Sequence, residues 1–259
     1  MNIDCNCEFG YELQLVIPYA YYLHKNGLLK QTTSSIHTNE LYYFSKNHNA
    51  KYHKRIFNNP NVPNRTPHVN ELNYLEWTPP PYKHIFKNDI FLYEKPLLII
   101  HNKFNQELRL NPVNYINTET LDAIFTLCKH KYTIVYIRPK QVNIVSDNSE
   151  IYNLEEDELL RSHEVIDANT LYEENKSVGN FNHFQLLLHS NCNKFISVQG
   201  GNCVLASYFG GTNIIYTKRG NELLCDAYNG HYKQYSNCNI LHTDNYELLL
   251  DLITHNYCD

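Results

Sequence analysis

Four short stretches of this sequence combine residue types that bind anions: His101, Asn102 and Lys103; Arg138 and Lys140; Gln199, Gly200, Gly201 and Asn202; and Lys218 with Arg219. Arginine grips phosphate oxygens in a planar fork, lysine supplies a point charge, and paired glycines let a ligand come close to backbone N–H groups. A diphosphate suits such a set, because it spreads negative charge over several oxygens. Taken singly, each residue is an ordinary occupant of a solvated loop. Their joint meaning depends on whether a fold brings them to one edge.

Each stretch directly follows an apolar, β-prone run: Pro96–His101 (PLLIIH), Tyr132–Ile137 (YTIVYI), Phe195–Val198 (FISV) and Asn213–Thr217. The continuous hydrophobicity of the first two is the mark of strands covered on both faces. Helical periodicity fills the intervals. Thr118–Lys129 aligns Leu121, Ile124, Phe125 and Cys128, a second helix is expected over Asn182–His189, and a third over Cys203–Phe209 before Gly210-Gly211 stops it. Short strands at Val165–Asp167 and Asn239–His242 and a last helix at Asn245–Thr254 complete the rhythm. Regular alternation of this kind predicts an α/β chain with a doubly wound parallel sheet, and the residues following its strands then converge on one crevice.

The first third is less regular. A strand at Met1–Cys5 precedes a helical pattern of Leu13, Val16, Ile17, Ala20 and His24, closed by Asn26-Gly27. Pro18 either kinks that helix or opens its regular part. Leu41–Ser45 is expected as a strand, Ser45–Lys54 as irregular, and the proline-rich Asn58–Pro67 as loop. Trp77–Tyr82 (WTPPPY) is polyproline-like. The change of rhythm between Tyr82 and Pro96 divides the chain into an N-terminal unit, 1–90, and a C-terminal α/β unit, 91–259.

Composition removes several function classes. The net charge is -5, the pI is near 6.3 and there is no Lys/Arg block, which argues against a sequence-independent grip on nucleic acid. No apolar run approaches the roughly 20 residues of a membrane span, and MNIDCNCEFG is unlike a signal peptide, so a cytoplasmic protein is expected. The eight cysteines lack metal-ligand spacing and are read as reduced thiols. The phosphate-loop motif G-x-x-x-x-G-K-[ST], the dinucleotide motif G-x-G-x-x-G and the nucleophile elbow G-x-S-x-G are all absent. The acidic run Glu155–Glu158 contains no D-x-D metal clamp and reads as a solvated helix face.

The segments CEFGYELQLVIPYAYYLHKNG, KPLLIIHNKFN, YTIVYIRP and FNHFQLLLHSNCNKFISVQGGNCVLASYFGGTNIIY together resemble glycosyltransferases of the GT-B architecture, and in particular the compact glycosyltransferase-like proteins of large DNA viruses. The resemblance implies two Rossmann-like domains with a reduced N-terminal one, a nucleotide-sugar donor held by the C-terminal domain and a glycan or other hydroxyl acceptor on the N-terminal side. It sets Gln199, Gly200, Gly201 and Asn202 at the donor diphosphate, around which the strand ends add Asn102, Lys103, Arg138 and Lys218. Glu222 then falls where the family often has a carboxylate on the donor's sugar or ribose. One departure matters: the eighth residue after Glu222 is Gly230, so the paired glutamates of many retaining members are missing. That favours inversion.

Inversion needs a general base for the acceptor hydroxyl and cations or N–H groups, without a metal, for the leaving phosphate. Glu8 and Glu12, which bracket Gly10 at the first strand-to-helix turn, are the candidate bases, with His68 in the proline-rich loop as a third. Glu12 also reads as an ordinary first-turn carboxylate. Two other functions fit the same residues: an inactive module that binds a nucleotide or glycan, and an enzyme that modifies a nucleotide-sugar.

Overall fold

Strands buried on both faces need partners on both edges and helices above and below, and the apolar runs obtain all of these. The computed structural model describes residues 1–56, 74–106, 111–147 and 149–258. Strands β1 (Asn2–Asp4), β2 (Gln31–Ser35) and β3 (His48–Tyr52) form a small sheet in that order. Strands β4 (Leu97–His101), β5 (Thr133–Ile137), β6 (Ile166–Asp167), β7 (Lys194–Val198), β8 (Thr212–Tyr216) and β9 (Asn239–Thr243) form a second, in the order β6-β5-β4-β7-β8-β9. Every pairing in both sheets is parallel. Counted from β4, the larger sheet has the Rossmann order 3-2-1-4-5-6, and its direction of growth reverses between β4 and β7.

The helices are α1 (Phe9–Tyr11), running through a π-turn at Glu12–Val16 into α2 (Ile17–Lys25); α3 (Tyr82–Ile85); α4 (Thr118–Cys128); α5 (Asp157–Ser162); α6 (Ala168–Glu174); α7 (Phe181–Ser190); α8 (Gly201–Ser207); α9 (Asn221–Leu224); and α10 (Tyr246–Ile253). Asparagine side chains cap three of them: Asn117 accepts from the Thr120 N–H, Asn180 from His183 and Asn245 from Leu248. Pro18 lies inside the continuous helical run from α1 to α2 and offers no N–H to the carbonyl four residues earlier; the Trp77 indole bonds that Gln14 carbonyl instead. Alternate residues of the larger sheet enter two apolar layers. Leu98, Ile100, Ile196, Val198, Ile214 and Tyr216 pack with residues of α4 and α10, while Leu97, Ile99, Phe195 and Ile215 pack with α7 and α8.

The second layer continues without a break into the N-terminal unit through Leu13, Val16, Tyr42 and Trp77. Hydrogen bonds stitch the same boundary. Tyr208 donates to the Leu13 carbonyl at 2.5 Å and the Trp77 indole to Gln14 O at 2.7 Å. Lys83 on α3 donates to the carbonyls of Cys192 (3.0 Å) and Phe209 (2.8 Å). One apolar layer therefore serves both sheets.

Three local expectations are corrected. Leu41–Ser45 is a turn, and the strands of this region are the polar QTTSS and HNAKY segments on either side of it. Thr32, Thr33, Ser34 and Ser35 are buried, and the hydroxyls of Thr32 and Ser34 are bonded to His48 and Glu12, so hydrogen bonds replace the apolar pattern there. The third correction concerns the acidic run: α5 begins inside it, at Asp157, and Glu156, which precedes the helix, is buried rather than solvated. Among the described residues no helix is long and apolar enough to cross a membrane. The segment Asn58–Pro67 and His68 lie outside the described residues.

Candidate functional site

At the carboxyl ends of β4 and β7, where the order of the sheet reverses, a cleft of about 200 Å³ opens. The turn from β7 into α8 forms one wall. Gly200 has φ 139°, a conformation closed to side-chain-bearing residues, and a Cβ there would stand 3.5 Å from Lys103 Nζ. Gln199, Gly200, Gly201 and Asn202 all line the cleft, as do Asn102, Lys103 and Arg138. Most of the expected donor-side residues thus share one cavity.

Their working states differ. Lys103 Nζ donates to Gln199 Oε1 at 3.3 Å, and Gln199 Nε2 donates to Glu222 Oε2 at 3.0 Å, so Gln199 bridges the lysine and the carboxylate. Glu222 is buried behind Gln199, outside the cleft lining. Lys218 is exposed and also outside it, its backbone N–H bonded to Asn114 Oδ1 at 2.7 Å. Asn102 is buried, with both polar atoms bonded: Nδ2 to Ile116 O and the Tyr136 hydroxyl, Oδ1 to the N–H groups of Lys103 and Ile116. It shapes the loop. Arg138 forms a fork with both oxygens of Glu156, which is 3% exposed.

The first strand-to-helix turn forms the facing wall. Glu8 lines the cleft and its Oε2 accepts from the Tyr11 N–H at 3.0 Å as an N-cap. Burial pushes its carboxyl above the usual glutamate range, against the pull of the Gly10 and Tyr11 N–H groups and of Arg55. Glu12, one turn on, points the other way. It is fully buried, bonded to Arg55 Nη1 at 2.6 Å, to the Tyr42 hydroxyl at 2.9 Å and to Ser34, and it is not part of the cleft. The guanidinium it holds does reach the cleft, over the Phe9 ring at 5.1 Å.

A buried pair of histidines reaches the cleft through one member, His101. His101 at the end of β4 and His189 on α7 are both buried, with their Nε2 atoms 2.6 Å apart, and His189 Nδ1 lies 2.5 Å from Gln185 O. Burial pushes both rings below the ordinary histidine value, His189 to about 3 and His101 further helped down by the field of His189. Both are neutral at pH 7. His101 and Gln185 line the cleft, and among the described residues His101 Nδ1 and Gln185 Oε1 have no hydrogen-bond partner. His189 and Gln185 sit four apart inside an apolar helix pattern, where their spacing is the one sequence signal of their partnership.

Among the described residues no group of His, Cys, Asp and Glu side chains is arranged to hold a metal ion. Set against family models, curated proteins and solved structures, the chain matches none of them.

Proposed function

We propose that the protein is a glycosyltransferase of GT-B type that moves a sugar from a nucleotide-sugar to a hydroxyl acceptor, with inversion and without a metal. The observation that carries this reading is the meeting of two strand-to-helix turns in one cleft at the switch point of a Rossmann-order sheet. Glu8 stands on one turn, and Gly200-Gly201 with Lys103 on the other side. Glu8 is the general base: it takes the proton of the acceptor hydroxyl as that oxygen bonds to the anomeric carbon. The bond from that carbon to the diphosphate breaks, and the nucleoside diphosphate leaves with the electron pair. Lys103 and the N–H groups of the Gly200-Gly201 turn offset its charge. A carboxyl raised by burial is a suitable base near neutral pH.

The test is a panel of UDP-, GDP-, ADP- and CMP-linked sugars, scored for release of free nucleotide with and without EDTA. Release that survives chelation is the expected result. Release abolished by EDTA and restored by manganese would overturn the metal-free mechanism. The ion pairs that occupy Glu12 and Arg138 favour a second reading, a binding module for the same ligands, which predicts saturable binding and no release.

A further inference from the structure

A carbonyl oxygen only accepts, so the contact between His189 Nδ1 and Gln185 O sets the proton of that ring on Nδ1. In a neutral ring Nε2 is then a bare lone pair, and the 2.6 Å contact to His101 Nε2 holds only if His101 donates. His101 therefore carries its proton on Nε2. Its Nδ1 is left as a lone-pair acceptor in a fully buried ring that lines the cleft, without a partner among the described residues. Gln185 acts twice, since its carbonyl sets the tautomer and its own Oε1 is a second unpartnered acceptor, on a side chain 2% exposed that lines the same cleft. A buried acceptor without a donor is destabilising, and a ligand that supplies the donor recovers that cost.

We infer that His101 Nδ1 and Gln185 Oε1 form a subsite for a hydroxyl-bearing group, with His189 as the residue that positions His101 by fixing its tautomer. The bare lone pair on His101 Nδ1 repels phosphate oxygens, so this subsite takes the neutral, hydroxylated part of a ligand whose anionic part lies toward Lys103 and Gly200. The assignment of that anionic part rests on the proposed function; the acceptor pair does not. The hydroxyl belongs to the transferred sugar or to the ribose, and the experiment separates these.

The test is 15N–1H correlation spectroscopy of the histidine rings in the intact protein at pH 7, first alone and then with UDP, GDP, ADP, their glucose conjugates and free glucose. Alone, His189 should show the Nδ1–H form and His101 the Nε2–H form; any other assignment overturns the inference. On titration the His101 Nδ1 resonance should move. Movement with the diphosphates identifies a ribose hydroxyl, and movement only with the glucose conjugates a sugar hydroxyl. If glucose alone moves it while no nucleotide binds, the subsite stands and the nucleotide-sugar reading falls. If a conjugate perturbs the Gly200-Gly201 amides and His101 Nδ1 stays still, or if no probe moves it, the subsite is rejected. His101→Phe, judged on protein shown to be folded, should weaken the ligand that moved Nδ1 by about tenfold or more and leave ligands that did not move it unchanged. Retention of full affinity in that variant would also reject the subsite.

Discussion

Gly10 and Gly201 touch backbone to backbone: a Cβ on Gly10 would stand 3.4 Å from the Cα of Gly201, and one on Gly201 would stand 3.2 Å from Gly10 N. Through this contact the first turn of α1 rests on the first turn of α8, which holds the two walls of the cleft together. The Gly201 Cβ would also meet the Phe9 ring at 2.7 Å, well inside van der Waals contact. Gly201→Ala should therefore displace Phe9 and lower stability by about 1 to 3 kcal/mol, the usual range for overpacking. Urea unfolding measures it. Unchanged stability would mean that the two turns separate at no cost.

Glu8 and Glu12 should behave in opposite ways when changed to Gln. Glu12→Gln leaves Arg55 buried without its charge partner and should cost about 3 to 5 kcal/mol of stability. Glu8→Gln keeps the shape of the N-cap, should leave the unfolding midpoint near that of the parent, and should slow sugar transfer about 100-fold or more. Parallel measurements of melting and turnover separate the two. A Glu8→Gln protein with full transfer rate would remove Glu8 as the base.

Lys103 and Arg138 differ in the same manner. Arg138→Ala strands the buried Glu156 carboxylate and should unfold the protein more easily, so any loss of ligand binding in that variant has a structural cause. Lys103→Ala should weaken nucleoside diphosphate binding by about 1.5 to 3 kcal/mol, the worth of a charged hydrogen bond. Its stability should fall by no more than about 0.5 to 1.5 kcal/mol, the worth of the hydrogen bond to Gln199. Calorimetric titration with UDP and GDP, paired with melting curves, gives both quantities.

Acid should destabilise the fold through its buried histidines. His189 ionises near 6.5 when unfolded and at about 3 in the fold, and His231, buried against Trp77, at about 4. Depressed folded values mean that the unfolded chain binds more protons. The stabilisation is complete above about pH 6.5 and is lost as pH falls toward those values, at up to about 1.4 kcal/mol per pH unit per histidine. Glu8, raised in the fold, works in the opposite direction as pH falls. The histidines outnumber it, so the urea midpoint should drop steadily from pH 7 to pH 5. A flat profile would show that these rings are hydrated.

Legibility in the sequence follows burial by apolar neighbours. Strands β4, β5, β7 and β8 are visible as hydrophobic runs because both faces of each are covered by aliphatic and aromatic side chains. Strands β2 and β3 are not, because their environment is polar and satisfied by hydroxyl and imidazole hydrogen bonds that no periodicity records. In the site, the turn at Gly200 and Gly201 is legible from local chemistry, as is the cation of Lys103. The pairings that decide what the other residues do are long-range. Glu12 meets Arg55 from 43 residues away and His101 meets His189 from 88, so a carboxylate expected to work proves to be internal and a strand-end histidine gains a partner.

The Lys83 clamp also sets a timetable for the growing chain. Its acceptor at Phe209 is made 126 residues later, an interval of roughly 6 to 25 s at a synthesis rate of about 5 to 20 residues per second. Over nearly all of that interval Tyr82 lacks the Tyr208 and Phe209 rings that pack on it, and Trp77 lacks His231 and Tyr235. The N-terminal third must wait on the ribosome with its apolar side open, and a chain released before Phe209 is made carries that side into solution.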